Sequence, residues 1–269
     1  MGDLISNIQE AYSAQEFLEK IIIGLLGIEI SDRDYYIFSD DDQFYLVIFI
    51  PELEEEKRGI IESIGFISLE ENLWILKKSE IRLDELNTCL LPKLLELQEY
   101  YWKQLINKFS RVNEKFHRSC GKQLFPVTYQ KFELPLKWNG KLTLREEEFI
   151  IFVQDMCKLF REGFREFFGR DCGERLLRYL SDNYNFINTL GSLRNYYGSA
   201  HDTSAWSPRY IDTARNHLAR LSGSEYPCEW YHFVRAQLGI LSEGYEFLEK
   251  LEEKSLDELC ELIKDSSET

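Results

Sequence analysis

Between Leu83 and Phe116 the apolar residues Leu83, Leu86, Leu90, Leu94, Leu97, Tyr101, Leu105, Phe109, Val112 and Phe116 follow one another at steps of three or four. That spacing returns to one face of an α-helix and to no face of a strand, so it predicts a long helix with a single apolar stripe. Pro92 lies inside it and removes one helix hydrogen bond, which predicts a kink or break near Leu91. The same period continues downstream. Thr143 and Glu146 have capping-box spacing ahead of a stripe of Phe149, Phe152, Val153, Met156, Phe160, Phe164 and Phe167, with Gly169 placed to end the helix. A further helix is expected over 173–190, interrupted at Gly191 ahead of Arg194. Another begins at Ser207-Pro208 and carries Ile211, Ala214, Leu218 and Leu221, and a long one covers 228–254 with a short amphipathic piece at 256–263. Residues 120–142, with Gly121, Pro126, Pro135 and Gly140, read as an irregular excursion containing a hairpin.

The first 80 residues carry a different pattern. A helix over 14–27 follows a Ser13/Glu16 capping box. The runs Tyr35–Phe38 and Phe44–Ile50 flank four polar residues in a hairpin arrangement, followed by a short helix at 52–64 and a strand at Leu73–Leu76. The Asp40–Asp42 triplet reads as turn chemistry, since it lacks the spaced ligands and glycine of a calcium loop. The expected fold class is α+β: a small N-terminal α+β unit at 1–80, a long connecting helix at 81–119 and a predominantly α-helical bundle at 120–269.

Charge divides the chain in the same places. The 269 residues carry a formal net charge of −15, which argues against a protein that coats nucleic acid. By segment, however, residues 1–80 hold 18 acids against 6 bases and residues 221–269 hold 12 against 4, while residues 100–220 hold 13 against 20. The positive balance sits in the middle, where an anionic ligand would be attracted. No apolar run approaches the roughly 18 residues that span a bilayer, and Met1-Gly2-Asp3-Leu4 lacks a basic stretch before an apolar one, so a cytoplasmic protein without membrane contact is expected. Six cysteines with no CxxC pair suggest buried free thiols, with neither a metal nor a cofactor. Phosphate-binding glycine loops, HExxH and GxSxG are all missing from the sequence.

Of four histidines, His217 and His232 lie among apolar helix positions and His117 near a basic helix end. The fourth differs: Arg194-Asn195-Tyr196-Tyr197-Gly198-Ser199-Ala200-His201 places an arginine, a polar residue and a histidine at a helix-to-helix junction. This resembles the R-polar-x(4–6)-H motif of HEPN ribonuclease domains, in an all-helical context of about 180 residues. The resemblance implies a HEPN-like bundle and a metal-independent RNA endonuclease, with His201 transferring protons, Arg194 stabilising charge on the phosphorane and Asn195 orienting His201 or holding a phosphate oxygen. It also implies a homodimer with two motifs facing each other in a composite site, and 2′,3′-cyclic phosphate products. Histidine titrates near neutrality and the arginine fork matches phosphate oxygens, so the residue types suit that chemistry. Tyr196 and Tyr197 are candidates for base stacking, Ser199 for a hydrogen bond, and Arg165, Arg175 and Arg178, within a series that includes Arg161 and Arg170, for phosphate attraction.

Some HEPN toxins carry a modifiable tyrosine two residues after the histidine; Thr203 stands there in this chain. The Rossmann-like CARF sensor domain of other HEPN effectors has no counterpart in 1–80, which reads as an acidic module that either docks an antitoxin or sensor partner or regulates the protein by masking a basic cleft. The setting implied is toxin–antitoxin or antiviral defence. The alternative is a non-catalytic helical scaffold for dimerisation or docking, in which Arg194 closes the preceding helix and pairs with Asp182 or Asp202.

Overall fold

The computed structural model describes residues 11–12, 18–28, 30, 35–40, 43–50, 53–70, 72–78, 81–198, 208–228, 230–253 and 257–264. The fold is α+β, and the chain divides into two compact units, Met1–Gln98 and Glu99–Thr269.

In the first unit, β1 (Ala11–Tyr12) pairs with β6 (Ile81–Arg82). The helix α1 (Leu18–Leu25) is wound as a π-helix. A four-stranded antiparallel sheet has the order β2 (Tyr35–Asp40), β3 (Gln43–Phe49), β5 (Leu73–Lys78), β4 (Ile67–Glu70). Asp40 pairs with Gln43, so the expected four-residue turn is a two-residue connection, and Ser39 and Asp40 belong to the strand. β4 has no counterpart in the sequence reading. Strand alternation buries Leu46 and Ile48 on one face of β3, with Leu76 and Trp74 in register opposite them, and Ile50 just past the strand's end is buried as well. The helix α2 (Glu55–Ile64) adds Ile60, Ile61 and Ile64 to that core.

The helix α3 (Leu83–Cys120) continues through Pro92 without a break; its residues from Glu99 belong to the second unit. There the stripe residues Leu105, Phe109, Val112 and Phe116 are buried. They join a phenylalanine cluster in which Phe160 meets Phe109, Phe125 and Phe186 with ring centroids 5.1–5.4 Å apart. Residues 120–142 contain two short helices, α4 (Tyr129–Phe132) and α5 (Leu134–Lys137), in place of the expected hairpin. The Trp102 indole N–H donates to the Pro135 carbonyl at 2.8 Å and holds α5 against α3.

The helix expected to run from Glu146 to Gly169 is two: α6 (Glu146–Phe160) and α7 (Phe164–Phe168). Gly163 separates them with φ of +89°, a conformation that side-chain-bearing residues disfavour, and the phenylalanine spacing merely carries across the break. The Thr143/Glu146 capping box does not form: the Thr143 hydroxyl donates to the Phe233 carbonyl, and Glu148 accepts from the Leu144 N–H. The helix expected over 173–190 divides into α8 (Arg170–Asn183) and α9 (Asn185–Gly198), because Tyr184 takes an extended backbone, while Gly191 interrupts nothing. The bundle is completed by α10 (Pro208–Ser222), α11 (Trp230–Glu253) and α12 (Asp257–Lys264). α9 packs on α6, α8, α10 and α11. Among the described residues no helix is long and apolar enough to cross a membrane.

Two cysteines depart from the free-thiol expectation. Cys120 at the end of α3 and Cys260 in α12 form a disulfide with Cα atoms 5.5 Å apart, whereas Cys157 and Cys172 are free and buried and Cys228 is free and exposed. The bundle brings together residues 140 positions apart, a proximity that spacing in sequence does not reveal.

At the α7–α8 corner two backbones approach closely. A Cβ on Gly173 would stand 2.5 Å from the carbonyl carbon and oxygen of Phe164 and 2.7 Å from the Arg165 nitrogen, all backbone atoms that cannot swing aside. Gly173→Ala is expected to destabilise the protein by about 2 kcal/mol in urea unfolding, the scale of an overpacked contact. A change below about 0.5 kcal/mol would show that α8 slides freely on α7.

Candidate functional site

Arg194 and Asn195 occupy the last turn and a half of α9, so they are helical rather than in a loop. The Arg194 side chain is 49% exposed, and its Nη2 lies 2.9 Å from Glu162 Oε1. Its carboxylate partner is thus Glu162 in the α6–α7 connection and not Asp182. Both groups border a cleft of about 710 Å³ within the second unit. Five cations, Lys131, Lys158, Arg161, Arg165 and Arg194, line it against two carboxylates, Glu162 and Glu166.

Arg161 is fixed by α9. Its guanidinium lies across the backbone of Gly191, where a Cβ would stand 2.6 Å from Cζ, and its Nη1 donates to the Ile187 carbonyl. Gly191 is therefore the residue that lets an arginine rest on the helix surface. Burial pushes the Arg161 guanidinium below its ordinary value, and Arg194 beside it pushes in the same direction. Lys131, only 4% exposed, donates from Nζ to the Glu162 carbonyl at 2.8 Å. Burial brings its ammonium down to about 8, against the opposing pull of Glu162 and Glu166. Cys157 faces the same region. Its Sγ donates to the Leu190 carbonyl at 3.3 Å, and burial pushes the thiol up to about 12, so it is a packed neutral group and no nucleophile.

The remaining sequence candidates scatter. Tyr197 packs edge-on against Phe149 with centroids 6.0 Å apart, and burial holds its phenol well above the ordinary range. Tyr196 packs edge-on against Tyr197 at 5.1 Å, so both rings are engaged in the bundle. Asn195 is exposed. Arg165 lines the cleft and pairs with Glu174 at 3.2 Å. Arg175 and Arg178 lie on α8 away from the cleft lining, the first with Nη2 3.7 Å from Cys172 Sγ and the second exposed. Ser199 and His201 lie outside the described residues, as do Thr203 and Asp202. Lys131 and Lys158 escaped the sequence reading, and Arg161 entered it only as one basic residue of a series. The signal for Arg161 is Gly191, a glycine within an amphipathic helix, which marks close approach of another group.

His217 is a structural histidine. Its Nδ1 is 3.1 Å from the Thr189 hydroxyl, which also accepts from Arg220 at 3.1 Å; burial and then the Arg220 charge push the imidazole below its ordinary value. Among the described residues no three histidine, cysteine or carboxylate side chains gather to hold a metal ion.

No family model, curated protein or solved structure matches this chain.

Proposed function

We propose that the protein is a metal-independent RNA endonuclease of HEPN type. The observation that supports this reading best is the half-exposed guanidinium of Arg194 at the rim of a cleft with a surplus of cations, seven residues before His201. In the proposed reaction His201 withdraws the 2′-hydroxyl proton, the 2′-oxygen attacks the adjacent phosphorus, and Arg194 neutralises charge on the equatorial oxygens. The 5′-oxygen leaves after protonation, giving a 2′,3′-cyclic phosphate and a 5′-hydroxyl. One imidazole serves one proton transfer at a time, and a second protomer would supply the other in a composite dimer site. A toxin–antitoxin or antiviral setting fits this reading, with the acidic first unit docking a partner.

The test is cleavage of single-stranded RNA in excess EDTA, with product ends read by sensitivity to a 3′-phosphatase before and after acid opening of the cyclic phosphate. Wild type is expected to cleave and His201→Ala to lose at least about a hundredfold in rate, the scale of a lost general acid–base group. Loss of wild-type cleavage on adding EDTA would overturn the mechanism, and undiminished cleavage by His201→Ala would remove that residue from it. The scaffold alternative draws on the Arg194–Glu162 ion pair, which engages the arginine within the bundle, and it predicts no cleavage at all.

A further inference from the structure

The lining of the cleft holds more positive charge than its own carboxylates balance. Glu162 gives its carboxylate to Arg194 and its carbonyl to Lys131, while Arg161 holds the Ile187 carbonyl. A backbone carbonyl satisfies a donor but carries no full charge, so the buried Lys131 and the half-buried Arg161 each contact a dipole, and Glu162 and Glu166 attract Lys131 only through space. An ammonium has three donors and a guanidinium five, which leaves most of them for a further acceptor. Burial depresses both groups, as expected of cations short of counter-charge. Arg161 is also preorganised, because Gly191 and the Ile187 carbonyl hold its plane before any ligand arrives.

We propose that Lys131 and Arg161 form, with Arg194, a phosphate-binding subsite that holds the backbone of single-stranded RNA in this cleft. The choice of RNA as the source of the phosphate rests on the ribonuclease reading; the anion site rests on the geometry. A phosphodiester presents two charged oxygens, which match the two arginine forks, and the Lys131 ammonium adds a point charge in the same cleft. Glu162 is then the competitor: Arg194 exchanges its carboxylate for the phosphate when RNA enters.

The probe is a fluorescein-labelled 12-nucleotide 2′-O-methyl RNA, whose blocked 2′-oxygen prevents cleavage, titrated with the full chain from 50 to 300 mM KCl and followed by anisotropy. Lys131→Met and Arg161→Met are each expected to weaken binding about tenfold or more. Each is also expected to reduce the slope of log K against log[KCl] by about 0.7, the share of one phosphate contact on a single strand. Glu162→Gln is expected to tighten binding severalfold, and Lys103→Met, on the exposed side of α3 and paired with Glu99, to change nothing. Circular dichroism establishes that each variant is folded, and Arg161→Gln, which removes the charge but keeps a donor for the Ile187 carbonyl, replaces Arg161→Met should the latter unfold. Binding within twofold of wild type for folded Lys131→Met and Arg161→Met, with unchanged salt slopes, would overturn the subsite, as would failure of wild type to bind. Should the variants weaken binding as expected while unmodified RNA survives wild type intact, the subsite stands and the ribonuclease reading falls.

Discussion

Replacing Arg194 by alanine is expected to lower the single-turnover rate of RNA cleavage by about two to three orders of magnitude, the usual loss when one preorganised donor to a developing oxyanion is removed. The same substitution should leave the fold almost untouched. Arg194 and Glu162 are 49% and 38% exposed, and an ion pair so accessible to water contributes under about 1 kcal/mol. The pattern to look for is therefore a severe loss of rate with a melting temperature close to wild type. Arg194→Lys sharpens the test: a lysine keeps the charge but not the fork, so it should recover only part of the rate if two phosphate oxygens are held at once. Arg161 and Lys131 stay in place in both variants, so RNA should still bind, and the loss should fall on the rate and less on affinity. Cleavage by Arg194→Ala at the wild-type rate would remove the arginine from the chemistry and with it the reading of the motif.

How far the sequence reaches differs between fold and site. Features set by local pattern were legible: the stripe from Leu94 to Phe116 follows from helical periodicity, the start of α10 at Pro208 from proline's preference for a first helical turn, and β2 and β3 from their β-branched and aromatic runs. Two misplaced helix boundaries share one cause, which is that backbone conformation at single residues overrode a pattern that continued past them. Gly163 divides α6 from α7 although Phe160, Phe164 and Phe167 keep helical spacing, and Tyr184 divides α8 from α9 although the leucine stripe runs on. Gly191 shows the converse. Read alone it breaks a helix, yet in the structure it is the bed on which Arg161 lies.

The site repeats this lesson. Arg194 stood out because a short motif named it, whereas Lys131 is separated from it by more than sixty residues and meets it only because Gly163 turns the chain so that the Glu162 carbonyl faces one and its carboxylate the other. Tyr196 and Tyr197 looked available for stacking because they adjoin the motif, but a helix points successive side chains about 100° apart, and their directions lead into the bundle.

The largest stability effect is expected at Asp155, which lies in α6 with its side chain 2% exposed. Its Oδ1 accepts from Lys158 at 2.7 Å, and its Oδ2 accepts from the Trp138 indole N–H at 2.9 Å and from Lys137, so one carboxylate ties α6 to α5 and the tryptophan that follows. Asp155→Ala leaves the buried indole N–H without its acceptor and both ammoniums without their counter-charge. The lysines, about 40% exposed, regain water; the indole does not, which sets the expected cost at about 3 kcal/mol, the lower end for a broken buried pair. Asp155→Asn keeps an acceptor for Trp138 and should cost less. Burial pushes the carboxyl up, but the hydrogen bonds from Lys137, Lys158 and Trp138 outweigh it and hold the group below its ordinary value. A carboxyl that is more acidic when folded contributes stability that is complete above its unfolded pKa of about 3.9 and is lost as the pH falls through the folded value. Urea unfolding of wild type and Asp155→Asn should accordingly differ most near pH 7 and converge as the pH is taken below about 4, because the asparagine does not titrate. A gap of the same size at pH 3 and pH 7 would mean that the amide disrupts packing and that the charge on Asp155 contributes nothing to holding α5 against α6.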